Sequence, residues 1–350
     1  MRSFFKICGI ILLLLLTAGS AFYLAPLPSS KFASLAAEQE AYFFQDEEQW
    51  LAENSLPQAI WVKTLEFKLR ADLKDHLASQ LSLDADSPAE NIETSTNHTR
   101  NQFINQTQAE VPVISNSALA SYVRGYGYCD QVNGFLALLL YDYLDKVQLF
   151  GVRNERGISP HTLIRSESAL GVVWIDAFSC VNAFGFRDEL TGTGQKQIPA
   201  YDQKVSSLFP RFYYKNGSAF NEYSLAYTAN KAYNRLGQLL TAPHKTATGS
   251  TKKETGAAKS EMPVIKKPSS YQTNLINQLR AEPVAGRQLY IKARVFHLFG
   301  EHQEAEKLYE QLRQQNPNGP LAAYAALFID RMNGKNLPCP NSVLSTPEFL

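Results

Sequence analysis

Cysteine is scarce in this chain, with four in 350 residues, and the positions of the four carry information. Cys8 lies inside an amino-terminal apolar run and lacks the small residues just before it that a lipoprotein signal would show. That leaves Cys129, Cys180 and Cys339. In an oxidising compartment an odd number leaves one thiol over. A Cys180–Cys339 disulfide would spare Cys129, although sequence distance alone does not decide that pairing. Excess charge of either sign is also missing: 34 Lys and Arg against 33 Asp and Glu give a formal net charge of +1, so nucleic acid is not expected as a partner. No P-loop, dinucleotide fingerprint or metal-binding repeat occurs, and no cofactor is expected.

A long apolar stretch runs from Ile7 to Ala25, about the length a membrane-spanning helix requires, with Arg2 and Lys6 ahead of it. The positive-inside rule keeps the short amino end in the cytoplasm and exports everything after Pro26. The rival reading is a cleaved secretory signal, since the densest apolar part ends near Leu16 and Ala18-Gly19-Ser20-Ala21 offers a peptidase small residues. Either way the main body is extracytoplasmic, and the expected setting is a single-pass protein of a bacterial inner membrane facing the periplasm. The Asn-X-Ser/Thr triplets at Asn97, Asn105 and Asn216 would matter only in a eukaryotic secretory pathway.

Three residues stand where a thiol catalyst needs them. Cys129, in Gly127-Tyr128-Cys129-Asp130-Gln131, opens a strongly apolar helical run from Val132 to Leu144. Amides at a helix N-terminus favour a thiolate and can hold an oxyanion. His161 starts a β-type segment and Asp176 ends the next one, in Val173-Trp174-Ile175-Asp176. Neighbouring antiparallel strands can set an imidazole beside a carboxylate, fixing its tautomer so that it acts as base toward sulfur. A zinc site from the same three residues lacks a fourth ligand and metal-type spacing, so no metal is expected.

Gly-Tyr-Cys-Asp-Gln, the Leu-rich helix, a strand from Val147 to Val152, a His-led strand and a Val-Trp-Ile-Asp strand together resemble the core of the transglutaminase-like superfamily. The resemblance covers roughly residues 117 to 180. Pro160 stands before His161 and Ala177 after Asp176, where the family usually has a small residue and often has Pro; neither change removes a reacting atom. The resemblance implies a papain-type core of a helix packed on an antiparallel sheet. It also implies Cys129 as nucleophile, His161 as general base and acid, and Asp176 as the group that orients the imidazole. The first oxyanion donor would be the Cys129 amide, and related enzymes take the second from a side chain upstream, here Asn105, Gln106, Asn116 or Tyr122.

Around that core, residues 1–30 read as the anchor or signal and 31–116 as a helical arm followed by a polar loop. The arm has two helices. The first carries Phe32, Leu35, Ala36, Tyr42, Phe43 and Trp50; the second, after Pro57, carries Ile60, Trp61, Leu65, Leu69, Leu73 and Leu77. It is either a partner-binding or site-covering arm or a subdomain packed on the core. Residues 84–116, rich in Asn, Thr, Ser and Gln, predict a long loop, either a lid or a tolerated insertion. The transglutaminase-like domain spans 117–240 and ends in a helix over roughly Asn221 to Leu240. Residues 241–270, dominated by Thr, Ala, Gly, Ser and Lys, form a flexible linker.

Residues 271–335 read as paired helices that resemble a tetratricopeptide unit, with a turn at Gly300, a small Ala305 and Asn316-Pro317 closing it. One unit falls short of the roughly three that stand alone, so it docks on the rest of the protein or on a partner. Residues 336–350 are a tail. His76, His297 and His302 fall on helical patterns as surface or packing residues, and His98 and His244 in mobile polar segments. Asp130 and Gln131 adjoin Cys129 as candidate extra catalytic residues, but a carboxylate at a helix start is favourable for stability alone, and that reading is preferred for Asp130.

The sequence thus predicts an α+β protein with a transglutaminase-like core, an N-terminal membrane helix and a C-terminal helical-repeat segment. Its expected activity is attack of Cys129 on an amide or other acyl carbonyl of a protein or peptide, with hydrolysis favoured over transfer to an amine. The alternative is a non-catalytic scaffold of an envelope assembly or polymer-export system, using the C-terminal helices for protein contacts.

Overall fold

A computed structural model describes residues 25–104, 111–112, 114, 116–153, 161–168, 171–178, 181–184, 207–210 and 270–335. The apolar stretch from Ile7 lies outside them apart from Ala25, as do Cys180, Cys339, His244, Asn105, Gln106, the helix expected at Asn221 to Leu240, the tail, and the linker apart from Ser270. Among the described residues no helix is long and apolar enough to cross a membrane.

The class is α+β. Helices α1 (Ser29–Glu38), α2 (Glu40–Phe43), α3 (Glu47–Glu53), α4 (Leu56–Gln80), α5 (Pro88–Gln102), α6 (Ala118–Arg124) and α7 (Cys129–Leu140) come first. Strands β1 (Lys146–Arg153), β2 (His161–Ser168), β3 (Gly171–Asp176), β4 (Val181–Phe184) and β5 (Ser207–Pro210) follow, then α8 (Ser270–Ala281), α9 (Val284–Leu298), α10 (His302–Gln315) and α11 (Pro320–Met332). The sheet order is β4-β3-β2-β1-β5 with every neighbouring pair antiparallel. Register sets Leu149 opposite Ile164 and Ile164 opposite Ile175, so these residues share one face, and that face packs with α7 in the core.

α7 is the central element. Every residue from Gln131 to Leu140 is buried, between the sheet on one side and α5 and α6 on the other. A helix that is apolar nearly all round belongs in such a place.

The first predicted helix of the arm is broken into α1, α2 and α3, although no Pro or Gly interrupts Phe32 to Trp50. Tertiary contacts favour the break. α1 buries Phe32, Ala33, Ala36 and Ala37, whereas α2 ends at Phe43, whose freed carbonyl accepts from Arg124 Nη1 at 2.7 Å. α4 begins with Ser55 N–H donating to Gln58 Oε1 at 3.1 Å and Pro57 in its first turn, a strong start signal. Its buried stripe is Ala59, Val62, Leu65, Leu69, Leu73 and Leu77; Ile60 (54% exposed) and Trp61 (36%) face outward rather than joining it.

Within the polar loop expected over residues 84–116, Pro88–Gln102 is instead a helix, α5. Its buried face is Asn91, Ile92, Ser95, Thr96 and Thr99, spaced three and four apart but almost without hydrocarbon. Small hydroxyl side chains let α5 approach α7 closely, and Asn91 closes the preceding turn through the amide and carbonyl of Asp84. His98 is therefore a packed helix residue, not a mobile one.

The C-terminal helices dock on the rest of the chain. α9 lies against α1 and α6. Gly300 makes the α9–α10 turn with φ +75, a conformation natural to glycine, and Ala305 is fully buried against α9.

Candidate active site

The approach to Cys129 is built from α6. Ser117 caps that helix by accepting from the Ala120 amide at 3.0 Å, and its own hydroxyl donates to Glu66 of α4. Burial alone would raise the Glu66 carboxyl, but the Lys63 ammonium at 2.8 Å and these hydrogen bonds hold it below the ordinary carboxylate value. α6 ends at Gly125 with φ +82. There a Cβ would stand 2.8 Å from Phe328 Cε2 and 2.9 Å from Arg294 Nε.

Arg124, fully buried, fixes the segment that follows. Its guanidinium donates to the carbonyls of Phe43 (2.7 Å) and Tyr126 (3.2 Å), to Asn116 Oδ1 (2.9 Å) and to Ser121 Oγ (3.2 Å), and it lies 4.6 Å from the Tyr126 ring centre. Burial lowers its pKa from the usual arginine value. Gln131 then folds back over the start of α7. Its Oε1 accepts from the Tyr128 amide at 3.2 Å, and its Nε2 donates to the carbonyls of Ile114 (2.9 Å) and Asn116 (3.0 Å). Gly127 permits this fold, because a Cβ there would lie 2.8 Å from Gln131 Oε1.

From Leu119 to Leu140 every residue is buried except Tyr128, Cys129 and Asp130, which are half-buried. The thiol is free and stands at the break in that run. The amides of Cys129 and Asp130 have no acceptor among the described residues, as a helix N-terminus dictates. They offer adjacent donors next to the sulfur's own residue.

His161 opens β2, its backbone opposite Val152 of β1, and its side chain lies outside what the structure describes. Asp176 closes β3 and is 2% exposed. Because β2 and β3 are antiparallel, the start of one adjoins the end of the other.

Asn133 of α7 joins these ends to the cysteine helix. Its Nδ2 donates at 2.7 Å to Asp176 Oδ1 and at 2.7 Å to the Thr162 carbonyl, and its Oδ1 accepts from the Ala177 amide at 2.8 Å. Asn133 is four residues after Cys129, on the same face of the helix and about 6 Å further along its axis. Asp176 Oδ1 also accepts from the Phe178 amide at 3.0 Å. The Asp176 carboxylate attracts the Arg100 guanidinium of α5, partly opposing the burial that lowers Arg100 below the ordinary arginine value.

Compared with family models, with curated proteins and with solved structures, the chain matches none. The site is therefore read from its own geometry.

Two of the upstream candidates for an oxyanion donor are spent elsewhere. Asn116 Nδ2 donates to the carbonyls of Tyr42 and Phe43 at 3.3 and 3.5 Å. The Tyr122 hydroxyl shares a 2.7 Å hydrogen bond with His98 Nε2, and its ring stacks on Phe135 with centres 3.5 Å apart. Among the described residues no group of three or more His, Cys, Asp or Glu could hold a metal ion. Asn133 was legible as a lone carboxamide inside an apolar helical run, since a polar group at a buried position needs partners.

Proposed function

We propose that the chain is a membrane-tethered, extracytoplasmic cysteine enzyme of the transglutaminase-like type, acting on amide or related acyl bonds of a protein or peptide. One observation carries the reading: a half-buried free thiol at a helix N-terminus with open amides, on a helix whose next turn is bonded to Asp176 and to the Thr162 carbonyl of the His161 strand. In this reading His161 takes the Cys129 proton and the sulfur attacks the acyl carbon. The oxyanion is held by the Cys129 amide, with the neighbouring Asp130 amide open beside it. The imidazolium returns its proton to the leaving amine, which departs as the thioester forms. Water then attacks the thioester, giving the acid and the free thiol. Hydrolysis is favoured over transfer because water is the default acceptor and no feature marks an amine site.

The test is iodoacetamide labelling of the folded protein near pH 6. Cys129 labels much faster than an ordinary thiol, His161→Ala slows it strongly, Asp176→Ala slows it less, and His302→Ala changes nothing. Labelling no faster than an unactivated thiol, with His161→Ala without effect, would replace the enzyme by the non-catalytic scaffold.

A further inference from the structure

We propose that Asn133 is a positioning residue for the Cys129 site, holding Asp176 and the His161-bearing strand in register with the cysteine helix. The inference rests on the thiol-enzyme reading above and assigns a role to the one side chain that makes its bonds between the cysteine helix, Asp176 and the His161 strand.

The argument begins with cost. Asn133 is fully buried in the helix whose neighbours are Val132, Phe135, Leu136 and Ala137, all core residues. Asn is a poorer helix former than Leu there, and a buried carboxamide is tolerated only when its groups are paired. Both Nδ2 hydrogens are used, one on Asp176 Oδ1 and one on the Thr162 carbonyl, and Oδ1 takes the Ala177 amide. Three of its four hydrogen-bonding capacities are filled. The orientation of the amide is also settled by its partners, since a flipped amide would set an oxygen against two acceptors.

The partners are as telling as the number of bonds. Thr162 follows His161, Ala177 follows Asp176, and the third partner is the Asp176 carboxylate itself. All three lie at the end of the sheet where β2 begins and β3 finishes. An ordinary helix-to-sheet contact would be served by hydrocarbon, as it is by Ile164, Val173 and Ile175. Here one side chain instead joins the nucleophile's helix, the base's strand and the orienting carboxylate. A displacement of about 1 Å between such groups costs on the order of a hundredfold in rate.

The experiment is a double-mutant cycle on the full chain, read as the iodoacetamide labelling rate of Cys129, with thermal unfolding followed in parallel. Asn133→Ala is expected to slow labelling on the order of tenfold to a hundredfold. In an Asp176→Ala background the same change is expected to slow labelling much less than it does alone, while its effect on unfolding persists. If Asp176→Ala slows labelling and Asn133→Ala does not, or if their effects multiply, the Asn133 inference falls and the thiol-enzyme reading stands. If neither Asp176→Ala nor His161→Ala affects the rate, both fall together.

Should Asn133→Ala fail to fold, the side-chain amide resonances of Asn133 in the wild-type protein decide. They are expected to exchange slowly with solvent and to shift in Asp176→Asn but not in His302→Ala. Fast exchange, or no shift in Asp176→Asn, overturns the inference.

Discussion

Arg294 of α9 donates from Nε to the carbonyl of Val123 at 3.0 Å, across 171 residues of sequence and six residues ahead of Cys129. Its Nη2 reaches the carbonyls of Tyr122 (2.9 Å) and Gln102 (3.2 Å), and its guanidinium carbon lies 3.9 Å from the Phe328 ring centre. Tyr290 adds a hydroxyl bond to the Arg124 carbonyl at 2.7 Å. The Gly125 amide caps Ser121 and Tyr122, and the carbonyls of Val123 and Arg124, which no helical amide satisfies, are satisfied by the C-terminal helices.

Removing residues 271–350 should therefore do more than shed an appendage. The truncated chain is expected to lose cooperative unfolding or to melt at a markedly lower temperature. Arg294→Leu, which strands the carbonyls of Val123 and Gln102, should cost roughly 2 kcal/mol or more. Denaturant titration of the two variants measures this, and a truncated protein as stable as the full chain would show the contacts to be dispensable.

Gly125→Ala and Gly286→Ala make a contrasting pair. At Gly125 a side chain meets a positive φ together with Phe328 and Arg294, and the left-handed backbone alone costs about 1–2 kcal/mol. Gly286 lies in α9, where a Cβ would find ordinary contact, 3.6 Å from Leu312 Cδ1, so alanine there should be neutral or gain up to about 1 kcal/mol. A loss of unfolding free energy for Gly125→Ala and none for Gly286→Ala is the expected result.

Acid should loosen the protein before its carboxylates titrate fully. Burial, helped by Arg294 and His76, lowers His98 to about 4, and burial with Arg294 and His302 lowers His297 well below its ordinary value. A histidine held neutral when folded takes up its proton more readily when unfolded. The stability is fully present above about pH 6.5 and is lost as pH falls toward 4. For His98 alone the loss is on the order of 3 kcal/mol. His98→Gln should flatten the fall in melting temperature between pH 7 and pH 4.5; an unchanged slope would show that His98 is not what drives it.

Attachment separates the two readings of the amino terminus. If Ile7 to Ala25 remains as an anchor, the protein should stay with membranes through high salt and alkaline washing, and its amino-terminal peptide should be recoverable. A soluble form beginning near Ala21 or Phe22 would establish cleavage instead.

Much of the site's framework was legible because it is written in hydrocarbon. The Val132 to Leu144 run announced α7, whose helix stops at Leu140; the β-type segments beginning at His161 and ending at Asp176 announced β2 and β3; the leucines at 65, 69, 73 and 77 announced α4. What escaped was written in polar atoms. α5 carries helical spacing in Asn, Ser and Thr, to which hydrophobic periodicity is blind, although Ser87-Pro88 at its start was a readable signal. The roles of Arg124 and Arg294 depend on carbonyls from distant segments, and no local pattern encodes those.

The docking of α9 on α6 also has a consequence in time. A ribosome that has reached residue 260 has already made Cys129, Asn133 and Asp176, together with the Phe43 and Asn116 acceptors that hold Arg124. It has not yet made Tyr290 or Arg294. Until those residues follow, the carbonyls of Val123 and Arg124 must be hydrated, and the segment leading to the thiol lacks its outer wall. The cysteine is thus made early, and its surroundings are completed only when the C-terminal helices have been delivered.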